Sequence, residues 1–156
     1  MARRWRPPRP LLLLLDGDWL GADIQHISSA INRQQVHIAT LGYGLSHAET
    51  AAQRAFDFSP KAPGREQVDP RVASWQCGGA DAFSAFLANS VIGYLRSELN
   101  VEQQKTGIFG HSYGGLYCLY ALLTQPALFD FYYAASPALW WHWPLIPELV
   151  SKSPSA

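Results

Sequence analysis

Only two of the 156 residues are cysteine, Cys77 and Cys118, and their separation forms neither a metal-ligand nor a redox spacing. Charge of one sign is missing as well. Twelve basic and twelve acidic residues cancel, so no overall field draws the chain toward nucleic acid or an anionic membrane. Long apolar runs are absent too: nothing approaches the roughly 18 continuous apolar residues of a membrane span. Leu11 to Leu15 follows Arg3, Arg4, Arg6 and Arg9, which superficially suggests a secretion signal. That run is too short for a signal core, Asp16-Gly17-Asp18 interrupts it at once, and no small-residue cleavage site follows. No internal repeat or linker is visible. The five histidines show no metal-ligand spacing with a nearby carboxylate, and the sequence calls for neither a metal nor a cofactor.

What is present is ample apolar material, 48% hydrophobic and 13% aromatic, enough for one domain with a real core. Pro10 to Leu15 reads as a buried parallel strand stopping at the Asp16-Gly17 turn. Ala22 to Arg33 carries Ile24, Ile27, Ala30 and Ile31 at helical spacing, and Val36 to Leu41 reads as the next strand. From Gly42 to Gly79 the residues show no period and many turn formers, which predicts a long functional loop. Asp81 to Leu99 sets Phe83, Phe86, Leu87, Val91, Tyr94, Leu95 and Leu99 along one helical stripe. Thr106 to Phe109 and Phe129 to Ala135 read as strands around an apolar helix, Leu116 to Leu123, and Ser136 to Pro147 as a tryptophan-rich loop. Strand and helix alternate, predicting an α/β fold with a mostly parallel sheet covered on both faces. The expected organisation is an Arg/Pro leader over 1–10, the α/β domain over 11–147 and a tail over 148–156. A core thiol at Cys118 leans toward a cytoplasmic protein, with the periplasm as the alternative.

The chemistry concentrates at Gly110-His111-Ser112-Tyr113-Gly114-Gly115, a G-x-S-x-G between a strand and an apolar helix. A serine carried through so sharp a bend presents its hydroxyl outward, and glycines on either side let the backbones pass. The unpaired N–H groups at the start of the following helix would face an oxyanion. Ser112 is therefore the candidate nucleophile, with the Tyr113 backbone N–H as one oxyanion donor and that of Asp18, in the turn after the first strand, as the second. Trp19, His111 and Trp140 are candidate substrate-lining residues. His111, next to the serine on a sharp turn, suits packing or orienting a strand end better than taking the serine proton. His142, among tryptophans, reads as a packed loop residue. Arg54 and Asp57 read as a loop salt bridge, Arg54 alternatively presenting charge to a substrate. Asp16 reads as the cap of its own turn. Trp140 and Trp141 would floor an aromatic or acyl pocket, or belong to the core.

Five ordered strings carry a resemblance: Leu14-Leu15-Asp16-Gly17-Asp18, Arg54 with Asp57, Gly78-Gly79-Ala80-Asp81-Ala82-Phe83, the serine turn, and Ala135-Ser136-Pro137-Ala138-Leu139-Trp140-Trp141. Together they resemble the esterase-D-like esterases, α/β-hydrolases that include siderophore (enterochelin-type) esterases. The resemblance implies hydrolysis of a small-molecule carboxylic ester. By matching position it also implies Ser112 as nucleophile and Tyr113 and Asp18 as oxyanion donors. In that family an acid and then a histidine follow the serine, the histidine near the C-terminus. Little sequence follows Trp141 here, and His142, Asp130 and Glu148 do not match those contexts. The expectation is a hydrolase domain incomplete at both ends. The alternative is a catalytically inactive hydrolase fragment or interaction protein, with self-association through exposed sheet edges.

Overall fold

The computed structural model describes residues 9–20, 23–32, 36–99 and 105–152. The expected leader lies outside these except for Arg9 and Pro10, as do Ala22 and Arg33 at the ends of the expected second element and 153–156 of the expected tail. A leucine run with no polar interruption suits a strand buried in a parallel sheet, and β1 (Leu11–Leu14) forms there, in one sheet with β2 (His37–Thr40), β3 (Thr106–His111) and β4 (Phe131–Ala135). They are parallel throughout, in the order β2-β1-β3-β4. The register sets Leu14 beside Thr40 on one side and Phe109 on the other. The helices are α1 (Gly17–Leu20), α2 (Asp23–Asn32), α3 (His47–Asp57), α4 (Ala80–Phe86), α5 (Ile92–Leu99), α6 (Tyr113–Thr124) and α7 (Leu145–Lys152).

Strand order decides where a ligand can sit. The chain leaves β1 toward β2 and leaves β3 toward β4, so adjacent strands send their connections in opposite directions. A crevice opens at the carboxyl ends of strands related in this way. The β1 turn begins at Asp16 and the β3 turn at Ser112, both at that crevice.

Three expectations are corrected. The segment from Gly42 to Gly79 is not wholly loop, because α3 occupies His47–Asp57. Its start is a capping box: Ser46 Oγ accepts from Glu49 N at 3.4 Å, and Glu49 Oε2 accepts from Ser46 N at 3.2 Å. A cap of this kind is worth about 1 kcal/mol, and it fixes a helix whose buried residues are Thr50, Arg54 and Ala55. Second, the helical run from Ala80 to Leu99 contains a π-helical turn over Leu87–Val91, where Ile92 N–H donates to Leu87 O. The extra residue rotates the apolar stripe. Phe83, Leu87 and Ile92 are buried and Val91 and Leu95 pack against the core, whereas Tyr94 and Phe86, which precedes that turn, are exposed. Third, α7 crosses the expected boundary between the tryptophan-rich loop and the tail; Pro147 lies in its first turn, where a missing N–H costs no helical bond.

The core lies between one sheet face and α3 to α6. Leu13, Leu15 and Ile108 meet Phe58, Leu87, Leu116 and Tyr117, all buried. Phe58, Phe83 and Tyr117 pack edge to face, with centroids 5.2 and 5.0 Å apart around Phe83. The Tyr117 hydroxyl is 2.9 Å from Ser84 Oγ, so the buried polar tip is satisfied. The opposite sheet face carries Leu12, Gly107, Phe109, Phe131 and Tyr133 around an open cavity of about 330 Å³. Cys77 and Cys118 are both buried and not disulfide-bonded. Burial, with the Asp16 charge nearby, pushes the Cys118 thiol up to about 12, and burial raises Cys77 as well. Since the thiolate is the reactive form, neither should react with a disulfide reagent in the native protein at pH 8. Both should titrate after denaturation, and a rapid native equivalent in the thiol assay would contradict that packing.

Candidate active site

Ser112 follows β3 directly and precedes the first residue of α6 with φ 57° and ψ −112°. Such backbone costs on the order of 1–3 kcal/mol for a residue with a side chain and persists only where its surroundings impose it. They do so from both sides. Ser112 N donates to Ala135 O at 3.0 Å, and Ser112 O accepts from Ala138 N at 3.0 Å and Leu116 N at 2.9 Å. The hydroxyl makes no capping bond to α6. Asp16 and Ser136 also have positive φ, 62° and 41°. Three strained residues therefore sit just beyond the carboxyl ends of β1, β3 and β4. The turn closes through its glycines: a Cβ on Gly110 would lie 2.2 Å from both the carbonyl carbon and the oxygen of Gly114, and one on Gly115 would lie 2.9 Å from Ala135 O.

The β1 turn is tied to the β3 turn. Leu15 N donates to Phe109 O at 3.0 Å, extending the strand pairing to the turn itself. The Asp16 carboxylate reaches under the first turn of α6, with Oδ2 3.5 Å from where a Cβ on Gly114 would be. Here the expected Arg54–Asp57 bridge is corrected. Arg54 binds Asp16 in a two-pronged pair, Nε to Oδ1 and Nη2 to Oδ2, both at 2.8 Å, and Nη2 also donates to His111 O at 3.3 Å. Asp16 is thus no simple turn cap. Asp57 instead accepts from Tyr43 Oη at 3.0 Å and Gln53 Nε2 at 3.1 Å. The Arg54 guanidinium lies 4.4 Å from the Trp19 ring centroid and 5.6 Å from that of Tyr113. One buried cation therefore gathers Trp19, His111 and Tyr113. Asp18 is anchored through its side chain, which accepts from Tyr43 N at 2.5 Å and Gly44 N at 2.9 Å. Its backbone neighbours Gly17 and Trp19 donate to Leu41 O and Asp16 O.

On the other side of Ser112, Tyr113 is buried and its hydroxyl donates to the Asp69 carboxylate. Burial and Asp69 together raise the phenol far above its ordinary value, so it stays a donor. Trp140 packs edge-on against Tyr113 at 5.6 Å, and Arg71 lies over the Trp140 ring at 3.7 Å. The expected Trp140–Trp141 floor divides: Trp140 is exposed beside Tyr113, whereas Trp141 is 1% exposed and belongs to the core. His111 presents an exposed side chain. His142 packs against Trp141 at 4.3 Å, and burial followed by the Arg65 charge lowers its pKa. Ser112, Tyr113, Asp18, Trp19, His111 and Trp140 all fall around the β1 and β3 turns or the residues packed on them.

Sequence reasoning put the Asp16 turn near Ser112 but missed the pairing of its carboxylate with Arg54, and it missed Asp69 and Arg71 as members of this neighbourhood. Ser46 with Glu49 three residues later announces α3, and within that helix Arg54 stands four residues from both Thr50 and Phe58, on the face that must go inward. That spacing was a readable signal for a buried arginine. Asp69 offers none, since its partner lies far along the chain.

Comparison with known proteins agrees with the motif-based resemblance. The family model described as "Putative esterase" matches residues 6–155. A siderophore triacetylfusarinine C esterase of Aspergillus fumigatus is 32% identical over 149 residues, 88% of this chain and 47% of that protein. A siderophore enterobactin esterase of Emericella nidulans is 35% identical over 112 residues, 67% of this chain and 36% of that protein. The solved siderophore hydrolase EstA from Aspergillus nidulans superposes with a TM-score of 0.78 at 28% identity, covering 92% of this chain and 50% of that one. The chain thus spans half or less of the length of these relatives.

Proposed function

This chain belongs to the family described as "Putative esterase", and from that premise we propose that it serves as a carboxylic ester hydrolase working through an acyl-enzyme on Ser112. The observation that carries this reading is the strained Ser112 backbone at the crevice between β1 and β3, with the hydroxyl unused by the helix it precedes. In the proposed reaction Ser112 Oγ attacks the ester carbonyl and gives its proton to a general base, a role that no described residue fills by hydrogen-bonding to that hydroxyl. The carbonyl oxygen gains the negative charge, which the Tyr113 and Asp18 N–H groups receive beside the positive end of α6. Collapse breaks the ester bond, the alcohol leaves with the proton, and water then releases the acid by the reverse sequence. Siderophore esters, named for the relatives above, are the substrate class to test first.

Fluorophosphonates react with activated serines, so labelling followed by intact mass tests this directly. The folded wild-type chain should gain one adduct and Ser112→Ala none. A folded wild-type chain that takes no label would instead support a non-catalytic hydrolase-like domain, because a serine without general-base assistance loses on the order of 10²–10⁴-fold in rate.

A further inference from the structure

We propose that Asp69 is a positioning residue of the Ser112 site, locking the Tyr113 side chain, and with it the peptide that follows Ser112, to the loop that holds Arg71 over Trp140. The inference rests on the serine hydrolase reading above. Asp69 is 1% exposed. Its carboxylate accepts from the Tyr113 hydroxyl, from Arg71 N at 2.7 Å and from Val72 N at 2.9 Å. A buried carboxylate is costly unless its oxygens are occupied, and these partners are two amides and a phenol. Backbone pairing shapes the loop alongside these two amide bonds. An antiparallel bridge joins Val68 to Gln76, Asp69 N donates to Trp75 O at 2.9 Å, and Cys77 N donates to Gln67 O at 2.9 Å.

What the carboxylate adds is a closed circuit. Asp69 holds Tyr113, Tyr113 meets the edge of Trp140, Trp140 carries Arg71, and the Arg71 amide returns to Asp69. Ser112 stands between two anchors. Its N is bonded to Ala135 at the end of β4, its O to Ala138 beyond that strand and to Leu116 of α6, and the next residue is held through its ring by Asp69. The planar peptide between Ser112 and Tyr113 is already fixed at its carbonyl, so what the Asp69 anchor adds is resistance to tilting of the first turn of α6, which would move the Tyr113 N–H relative to the developing oxyanion. Donors that act in a transition state must be held within about 0.5 Å.

The test compares wild type, Asp69→Asn, Tyr113→Phe and the double variant for the rate constant (kinact) and apparent affinity (KI) of fluorophosphonate labelling at Ser112, alongside thermal melting. Each single variant should lower kinact about tenfold or more, as small misplacements do, with KI changed less than about twofold. The double variant should be no worse than the poorer single one, since both remove the same link. Tyr113→Phe keeps the buried ring, so it carries the test if Asp69→Asn does not fold. A folded variant labelled at the wild-type kinact overturns the inference, as do additive losses. A lowered melting temperature with unchanged kinact would make the contact merely structural and overturn it too. If wild type itself takes no label, the serine reading fails first and this inference with it.

Discussion

A Gly110→Ala chain should lose much of its stability and its reactivity at Ser112. The added Cβ would sit 2.2 Å from the carbonyl carbon and oxygen of Gly114, and neither neighbour can step aside. Gly110 is a buried β3 residue paired with Ala134 of β4, and Gly114 is a buried residue of α6's first turn. Relief requires α6 to lift from the sheet. That would disturb Leu116, Tyr117 and Cys118, each fully buried. Overpacking ordinarily costs about 1–3 kcal/mol and sometimes more; with backbone on both sides of the clash, about 3 kcal/mol or more is expected here. In a domain of this size each kcal/mol moves Tm by about 2–4 °C, so a drop of about 10 °C is the expected result of calorimetry. Fluorophosphonate labelling should disappear even in any fraction that stays folded, because the turn that imposes φ 57° on Ser112 would have opened. A variant that melts and labels like wild type would show that β3 and α6 do not cross as closely as the structure has them.

Legibility in the sequence followed the local content of each element. β1, β3 and β4 are apolar runs bounded by glycine or aspartate, and α6 is apolar nearly all round, so pattern alone placed them to within a few residues. The serine turn was equally visible, because its strain needs Gly110 and Gly114 at fixed offsets from Ser112. α3 escaped because its inward face is built from small and polar residues, Thr50, Arg54 and Ala55, in place of large apolar ones; its capping box was the stronger sign. α7 escaped because Pro144 and Pro147 advertise a break, although a first helical turn tolerates proline. Arg54 was given the wrong partner for a physical reason. Asp57 lies three residues on and looks like a local ion pair within a loop. The true partner is 38 residues away and becomes adjacent only once β1 pairs with β3 and α3 packs over the strand ends. Long-range buried pairs of this kind depend on the assembled sheet, and Asp69 with Tyr113, 44 residues apart, is another.

Removing the Arg54 guanidinium should be nearly as damaging as closing off the glycine turn, for a different reason. Arg54→Met leaves the Asp16 carboxylate buried beneath the start of α6 with its cation gone. Breaking one side of a buried pair costs about 3–5 kcal/mol, whereas replacing both sides is often nearly neutral. Arg54→Met should therefore lower the urea midpoint sharply, and adding Asp16→Asn should recover more than half of the loss. Asparagine is the right second change because it tolerates the φ of 62° that Asp16 adopts. Reactivity should not recover in step. Arg54 also donates to His111 O and lies against Trp19 and Tyr113, contacts that a methionine–asparagine pair cannot restore. In Arg54→Met alone the uncompensated Asp16 charge would also oppose an oxyanion forming at the same helix end, whereas Arg54 in the wild type neutralises it. The single variant should thus label more slowly than the double, and both more slowly than wild type. If stability and labelling recovered together in the double variant, Arg54 would be only a support for the fold, and the cation's hold on the two turns would play no part in shaping the site.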